Sequence, residues 1–357
     1  MIHYLQGKEK ARSRKLWEEA FPEDSQAFRD YYYTEKTKDN EILVLEEQGK
    51  VLSMLHRNPY DLALGKQTAK CDYIVGVATD KEHRRKGYMR QLMERALKDM
   101  NAEKMPFCFL MPAFEALYLP FDFTYIYKKQ NRVLTDKGLS AFKSREATHG
   151  ELKEAAAYMN QWLAKRYEVY AKRDFAYMAR LKKELESENG CMELLYSENT
   201  LAGIKARWGM EKPEERMLFC EESYARNTGE AVPCIMGRIV NFAEFVRFIR
   251  LQKGVKAGHD TILLELQDDI LQENAGLWRW TLTQDASAAE KNFRHGRWEK
   301  RRKGGTGYKA YGFGTDGLAF GVCPAGGSRK VGPCGAPAYR RVFRRNCIKC
   351  CLGRSVT

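Results

Sequence analysis

The sequence predicts an α/β (α+β) protein in which helices flank a mixed central sheet. Short apolar runs rich in β-branched residues alternate with segments whose apolar residues recur at helical spacing. The clearest example is the segment 73–101, where a strand, a basic turn with a glycine and an amphipathic helix follow one another directly. The length of 357 residues is typical of about two or three domains.

The composition is that of an ordinary globular protein, with 44% hydrophobic and 30% charged residues. No stretch approaches the roughly 18 apolar residues of a membrane-spanning helix, and the first 15 residues lack the apolar core of a secretory signal. Cys71, Cys108, Cys191, Cys220 and Cys234 occur singly, as buried thiols in a reducing compartment do. We therefore expect a cytoplasmic protein with no membrane partner.

The net charge of +14 comes from the last part of the chain. Residues 291–357 hold 16 lysine and arginine residues and two acidic ones, whereas the first 290 residues hold 45 of each sign. The charge of the whole chain therefore does not favour a nucleic-acid partner.

The N-terminal elements are predicted from turns, caps and periodicity. The predicted strands cover 2–5, 41–46, 51–56 and 67–79, and a helix ends at Phe21, before Pro22. A second helix follows the cap region 23–25 and carries four aromatic residues, Phe28, Tyr31, Tyr32 and Tyr33. These aromatics either line an acceptor pocket or pack in the core, and core packing is the favoured interpretation.

The segment 73–101 has the features of an anion site. An apolar strand from Tyr73 to Val77 leads through a charged loop to Arg84, Arg85, Lys86 and Gly87, and an amphipathic helix follows. The first turn of a helix has N–H groups without intrahelical partners, and a glycine lets the backbone approach a ligand closely. A pyrophosphate fits this arrangement. The alternative is a solvated basic loop, which the preceding strand makes the weaker interpretation.

This segment resembles motif A of the GNAT acetyltransferases, Arg/Gln-x-x-Gly-x-Gly/Ala after a central strand. It fits at Arg84 and Gly87 and departs at Met89, where the superfamily usually has Gly or Ala; the form HRRKGYMR is similar to the Eis (enhanced intracellular survival) branch. The resemblance implies that the loop holds the pyrophosphate of acetyl-CoA and that the strand edge pairs with its pantetheine arm. The implied cofactor-binding residues are Val77, Ala78, Thr79, Arg84, Arg85, Lys86, Gly87, Tyr88 and Met89.

A second segment, 118–123, resembles the family's Tyr-x-x-Phe-Gly-Tyr/Phe pattern, with Asp122 in place of Gly. It follows a predicted strand at 105–111 and a helical turn at 113–117, and precedes a strand at 124–127. The resemblance implies that Tyr118 is the general acid, because a phenol can protonate a leaving thiolate. Backbone N–H groups near Val77 would hold the thioester carbonyl. The alternative is that Tyr118 is one more aromatic in an aromatic-rich region.

We predict a catalytic GNAT domain over 1–145 and a second GNAT-like domain over 146–234. The second is predicted to contain helices at 151–170 and 175–188 and strands at 192–196, 201–208 and 217–220. It also contains a literal motif-A match, Arg226–Ala231. We interpret this match as a turn, because no strand closely precedes it and Pro233 would break the required helix.

Residues 235–290 resemble the start of the sterol-carrier-like domain that closes Eis proteins. The apolar spacing predicts an amphipathic helix from Ile235, ended by a glycine, and then strands at 261–267 and 277–282.

Residues 291–357 form an atypical basic tail with 13 of the 28 glycines and five of the ten cysteines. Because charge, glycine and cysteine content change together, a frameshift near residue 290 is the favoured interpretation. The alternative is a functional basic tail that attracts RNA phosphates. Four of its cysteines, Cys323, Cys334, Cys347 and Cys350, include only one Cys-x-x-Cys pair, so we expect no metal site.

Together these features predict an acetyl-CoA-dependent N-acetyltransferase. The resemblance implies that the acceptor is a primary amine, such as that of an aminoglycoside or a polyamine. The resemblance also implies a homo-oligomer, and a base supplied by the chain's terminal carboxylate. Because Thr357 ends the atypical tail, that role is not assigned to it. The alternatives are a non-catalytic acetyl-CoA-binding or regulatory protein that lacks this base, and a nucleic-acid-binding module formed by the tail.

Overall fold

The computed structural model describes residues 1–251, 259–291, 308–309 and 323–324. The helices are α1 (Arg14–Ala20), α2 (Gln26–Glu35), α3 (Tyr88–Ala102), α4 (Asp136–Ala141), α5 (Leu152–Ala164), α6 (Phe175–Ser187) and α7 (Phe242–Val246). The strands are β1 (Ile2–Leu5), β2 (Glu41–Glu47), β3 (Lys50–Leu64), β4 (Gln67–Thr79), β5 (Phe107–Leu110), β6 (Thr124–Leu134), β7 (Lys143–Glu146), β8 (Val169–Ala171), β9 (Cys191–Ser197), β10 (Thr200–Trp208), β11 (Glu214–Cys220), β12 (Ala225–Ile239), β13 (His259–Leu266), β14 (Gly276–Thr283), β15 (Ser287–Lys291), β16 (Tyr308–Lys309) and β17 (Cys323–Pro324).

The described chain divides into two compact units. The first contains residues 1–93 and 127–235, and the second begins with 94–126 and continues from 236. The predicted domain boundaries near 145 and 235 stay predictions.

The first unit contains an antiparallel run of strands in the order β1, β2, β3, β4. The β3–β4 pair is a long hairpin, and the end of β3 also pairs with β8, with Leu62 opposite Ala171. The core beneath these strands is apolar and includes Trp17, Tyr32, Ile42 and Leu55. Phe28 and Tyr31 are also buried, which agrees with the core-packing interpretation of the α2 aromatics.

The strand that leads to the basic segment contains a β-bulge. The β3–β4 register shifts between Met54 and His56, opposite Gly76 and Val77. Gly76 has a φ of +59°, and a Cβ atom there would overlap the Trp17 ring. Only glycine can adopt this positive φ and also leave room for the Trp17 ring without strain.

A second antiparallel sheet in the first unit has the order β11, β10, β9, β7. Helices α5 and α6 pack on it around a cluster that includes Met159, Leu163, Leu185, Leu194 and Ile204. The helix α6 begins at the cap residue Asp174, whose carboxylate accepts the Tyr177 N–H.

The second unit contains β5 paired with the end of β12, and a three-stranded antiparallel sheet of β13, β14 and β15. Phe242, Leu264, Trp278 and Trp280 lie in its core cluster.

The helix predicted from Ile235 is wrong. Residues 235–239 end β12, where Met236 pairs with Leu110 and Ile239 with Phe107, and α7 is only five residues long. The strand partner β5 outweighs the local helical spacing, as tertiary pairing often does.

The turn predicted at Arg226–Ala231 is also wrong, because these residues lie within the 15-residue strand β12. No helix follows the segment directly, so the rejection of a second cofactor loop agrees with the fold. The helix predicted over 151–170 ends at Ala164, and β8 follows because it pairs with β3. Strands β3 and β6 extend beyond their predicted ends, to Leu64 and Leu134.

Candidate active site

The basic loop (residues 80–87) connects β4 to α3 in the first unit. A short 3-10 turn at Lys81–His83 precedes Arg84, and α3 begins at Tyr88. The side chains of Arg84, Arg85 and Lys86 are exposed, as a site for a solvated polyanion requires. The structure thus gives the order of strand, loop and helix that the sequence predicts.

Asp80 holds the start of this loop in place. Its buried carboxylate accepts hydrogen bonds from the Glu82 N–H and from His83 Nδ1, both at 3.0 Å, and pairs with Lys50 Nζ at 2.6 Å. The hydrogen bond from His83, followed by that from Lys50, holds the pKa of this carboxyl well below its usual range. Asp80 therefore stays ionised and keeps the turn closed at any pH near neutrality.

The backbone of the basic loop has left-handed residues of the kind found in anion-binding turns. Arg85 has a φ of +64° and Gly87 a φ of +76°. The Gln91 N–H donates to the Gly87 carbonyl at 3.1 Å. The N–H groups of the residues just before Gln91 therefore lie in the first turn of α3, before its regular hydrogen bonds between residues four apart begin. A Cβ on Gly87 would meet no atom within 4 Å, so the backbone there is open to a ligand. These features fit a pyrophosphate.

The end of β4 joins this loop to the sheet. Ser53 Oγ lies 2.9 Å from the Ala78 carbonyl oxygen and 2.8 Å from Thr79 Oγ1, and Arg84 Nε donates to the Thr79 carbonyl at 3.3 Å. Val77 is half-buried beside the bulge. The structure therefore brings Val77, Ala78 and Thr79 together with the basic loop in one unit.

Tyr88 and Met89 begin α3 and are half-buried. The Tyr88 hydroxyl donates to Glu47 at 3.0 Å, and this bond raises the pKa of the phenol. The Tyr88 ring stacks on His83 with a centroid distance of 6.3 Å. Tyr88 therefore links the basic loop, through His83, to Glu47 of β2.

Tyr118 lies in the second unit, in a tight turn that we call the Tyr118 turn (residues 118–122). Its side chain is 8% exposed, and its ring meets Phe123 edge to face. Burial raises the pKa of the phenol to about 12. The side chain thus stays protonated near neutral pH, as a general acid must.

Asp122 adopts the left-handed conformation, with a φ of +59°. This explains why a glycine is usual at this position of the pattern and why aspartate, which tolerates the conformation better than most residues, can replace it.

A buried arginine that the sequence did not single out fixes the Tyr118 turn. Arg238 Nε donates to the Phe121 carbonyl at 2.6 Å, and its Nη2 lies 3.4 Å from Asp122 and 2.8 Å from Asp268. Asp268 in turn accepts the Ile270 and Leu271 N–H groups. The only hint in the sequence was an arginine within an otherwise apolar run.

Within the residues that the structure describes, no group of three or more His, Cys, Asp and Glu side chains is arranged to hold a metal ion. None of the described helices is long and apolar enough to cross a membrane. The cysteines Cys334, Cys347 and Cys350 and the terminal Thr357 lie outside the described residues, as does the side chain of Cys323.

Comparison with known proteins gives both a family match and similar folds. A family model described as an acetyltransferase (GNAT) domain matches residues 1–126. None of the curated proteins compared with this chain matches it.

Three solved structures are similar to the chain. A probable N-acyltransferase from Enterococcus faecalis V583 is 14% identical over 87% of each chain, with a TM-score of 0.69. A GCN5-related N-acetyltransferase from Anabaena variabilis is 16% identical over 87% of this chain and 88% of that chain, with a TM-score of 0.66. Eis1 from Mycobacterium abscessus is 12% identical over 82% of this chain and 85% of that chain, with a TM-score of 0.60.

At these identities the structural likeness shows the shared fold. It confirms the predicted mixed α/β class with a central sheet flanked by helices, and the Eis1 neighbour is consistent with the Eis-like label. The family match shows that residues 1–126 form an acetyltransferase (GNAT) domain.

Proposed function

We propose that the protein transfers an acetyl group from acetyl-CoA to a primary amine by direct attack of the amine on the thioester. The observation that carries this proposal is the basic loop, in which positive φ angles at Arg85 and Gly87 and the first turn of α3 follow a bulged strand. Acetyl-CoA supplies the acetyl group as an activated thioester. The chain's own residues bind it, orient it and move a proton.

Arg84, Arg85 and Lys86 supply positive charge toward the pyrophosphate, and the backbone from Gly87 to Met89 supplies N–H donors. The open face of Gly87 allows this close approach. Val77, Ala78 and Thr79 are the candidates for pairing with the pantetheine arm, because a bulged strand leaves backbone groups without ladder partners.

Tyr118 is the candidate acid for the departing thiolate. Its raised pKa supports the proton-donating form, and the Arg238 contacts support a fixed position for the turn that carries it. A positioned general acid typically contributes about 10²–10⁴-fold to a rate. An aminoglycoside or a polyamine is the proposed acceptor class, on the strength of the Eis-like resemblance alone.

The first test is release of CoA from acetyl-CoA by the full chain, with spermidine and kanamycin as amine probes. Amine-dependent release supports the transferase. Tight binding of acetyl-CoA without release above the rate of hydrolysis supports the alternative, a non-catalytic acetyl-CoA-binding or regulatory protein.

The cofactor site itself is tested by Gly87→Val. A β-branched residue at a φ of +76° is strained, so the loop must change shape, and we expect acetyl-CoA affinity to fall about tenfold or more in calorimetry. Gly65→Val is the matched control, because Gly65 has a φ of +59° and equally open surroundings in the β3–β4 turn. Equal affinity in wild type and Gly87→Val would remove the cofactor assignment.

A further inference from the structure

A cavity of about 300 Å³ lies in the first unit and is lined by none of the residues of the basic loop. Its walls come from three segments, which are the turn after α2, the middle of β3, and residues 172–184 with most of α6. These three segments meet through described contacts, such as the Tyr31 hydroxyl donating to Glu184 at 3.1 Å.

Lys36 lines this cavity and is 7% exposed. Among the described residues, its ammonium makes one hydrogen bond, at 3.4 Å to the Tyr60 hydroxyl, and no ion pair. A lysine this deeply buried normally has a carboxylate partner. Burial lowers the pKa of the Lys36 ammonium, but the neighbouring Tyr60 and Glu184 outweigh burial and raise this pKa above its ordinary value, so the ammonium is charged in the cavity.

The carboxylates nearby are engaged by other groups. Asp39 takes both Nη atoms of Arg180, at 2.8 and 3.1 Å. Glu184 accepts from Arg216 Nη2 at 2.7 Å as well as from Tyr31.

Two further acidic residues, Asp61 and Asp174, are exposed at the cavity, and Asp174 caps α6. Two cations that also line the cavity, Lys172 and Arg173, offset these two negative charges, so Lys36 supplies the one positive charge in excess. A monoanion is therefore the better match to the charge of Lys36.

Apart from the charged side chains, the walls of the cavity are apolar or aromatic. Tyr60 and Tyr177 meet with ring centroids 6.3 Å apart and an interplanar angle of 66°, and Pro59 and Leu181 also line the cavity. Such walls suit a short apolar or aromatic body next to a charged end.

We propose that this cavity binds a small organic monocarboxylate, with its carboxylate on the Lys36 ammonium and its body against Tyr60 and Tyr177. The site is separate from the proposed acetyl-CoA site. Its occupant would contact both the turn after α2 and the helix α6, and so would stabilise the native chain by an amount that rises with the logarithm of its concentration above the dissociation constant.

The test is calorimetric titration of the full chain with benzoate and with butyrate at constant ionic strength. Lys36→Met keeps the size of the side chain and removes the charge, so we expect about 30-fold weaker binding or more. Lys183→Met is the matched control, because Lys183 lies on α6, which lines the cavity, but is 53% exposed and pairs with Glu35 outside the cavity. It should bind benzoate as wild type does.

A second measurement covers the case in which Lys36→Met does not fold. In the wild type, one lysine side-chain NMR resonance, identified by its absence from Lys36→Arg, should move when benzoate is added. The proposal is overturned if neither carboxylate binds at millimolar concentration, if Lys36→Met binds as wild type does, or if inorganic phosphate binds more tightly than benzoate.

Discussion

His56 shows how burial changes the protonation of a side chain. It is 0% exposed, its Nδ1 lies 3.0 Å from the Tyr32 hydroxyl, and its ring packs 5.1 Å from that of Trp17. Burial, and then the positive charge of Lys10, lowers its pKa to about 3. An unfolded histidine binds a proton near pH 6.5. The unfolded state therefore binds more protons below that pH, and the native state loses stability as the pH falls from about 6.5 toward 3.

Replacing His56 with Gln removes this dependence. We expect the free energy of unfolding of the wild type to fall by about 1.4 kcal/mol per pH unit below pH 6 through this group, and the variant to lack that component. Burial raises the pKa of Asp24 to about 6, so this group stabilises the native state as the pH falls. Both proteins contain Asp24, and the difference between their free energies of unfolding therefore isolates His56. Urea unfolding at pH 7, 6 and 5 measures it. Parallel curves for the two proteins would contradict the assignment.

Tyr118 gives the second prediction at this scale. Tyr118→Phe should lower the rate of acetyl transfer by about 10²-fold with little change in acetyl-CoA affinity, because the phenol acts on the leaving group and not on the bound cofactor. Tyr158→Phe is the control, since burial also raises the pKa of Tyr158 to about 12 while its hydroxyl donates to the Ala202 carbonyl. If both variants transfer acetyl groups as wild type does, Tyr118 is not the acid.

Among the elements, those with two independent signals in the sequence were predicted well. β4 combines an apolar run with the following turn and was predicted at its observed limits, and α3 buries Leu92, Met93 and Ala96 as its spacing indicates. β12 was missed because its partner β5 lies more than 100 residues away and leaves no local trace. The basic loop was predicted from its own residues, whereas Arg238 was missed because its role depends on contacts with distant residues.

The Arg238–Asp268 pair predicts a large stability effect. Both side chains are 3% exposed, so Arg238→Met leaves Asp268 buried without its cation and should cost about 3 kcal/mol or more. Arg247→Met is the matched control. Arg247 is 62% exposed and pairs with Glu244, and its loss should cost less than about 1 kcal/mol. Urea unfolding compares the two, and equal losses would argue against a buried anchor for the Tyr118 turn.

For the whole molecule, the uneven distribution of charge along the chain predicts that removal of the basic tail changes ion-exchange behaviour. The first 290 residues are balanced and residues 291–357 carry the excess, so a chain ending at Lys291 should lose its retention on a cation-exchange column at neutral pH. If the full chain binds RNA with a steep salt dependence, the shortened chain should not bind it. Salt-dependent RNA binding that survives the deletion would place the binding surface in the first 290 residues.

The division into two compact units has a consequence for how the gene can be dissected. The first unit draws on residues 1–93 and 127–235, and the stretch between them belongs to the second. Exchanging residues 1–126 with a relative as one block would therefore introduce foreign sequence into both units at once. Chimeras of this protein should be made by exchanging paired segments, and single-crossover hybrids within residues 94–235 should fold poorly.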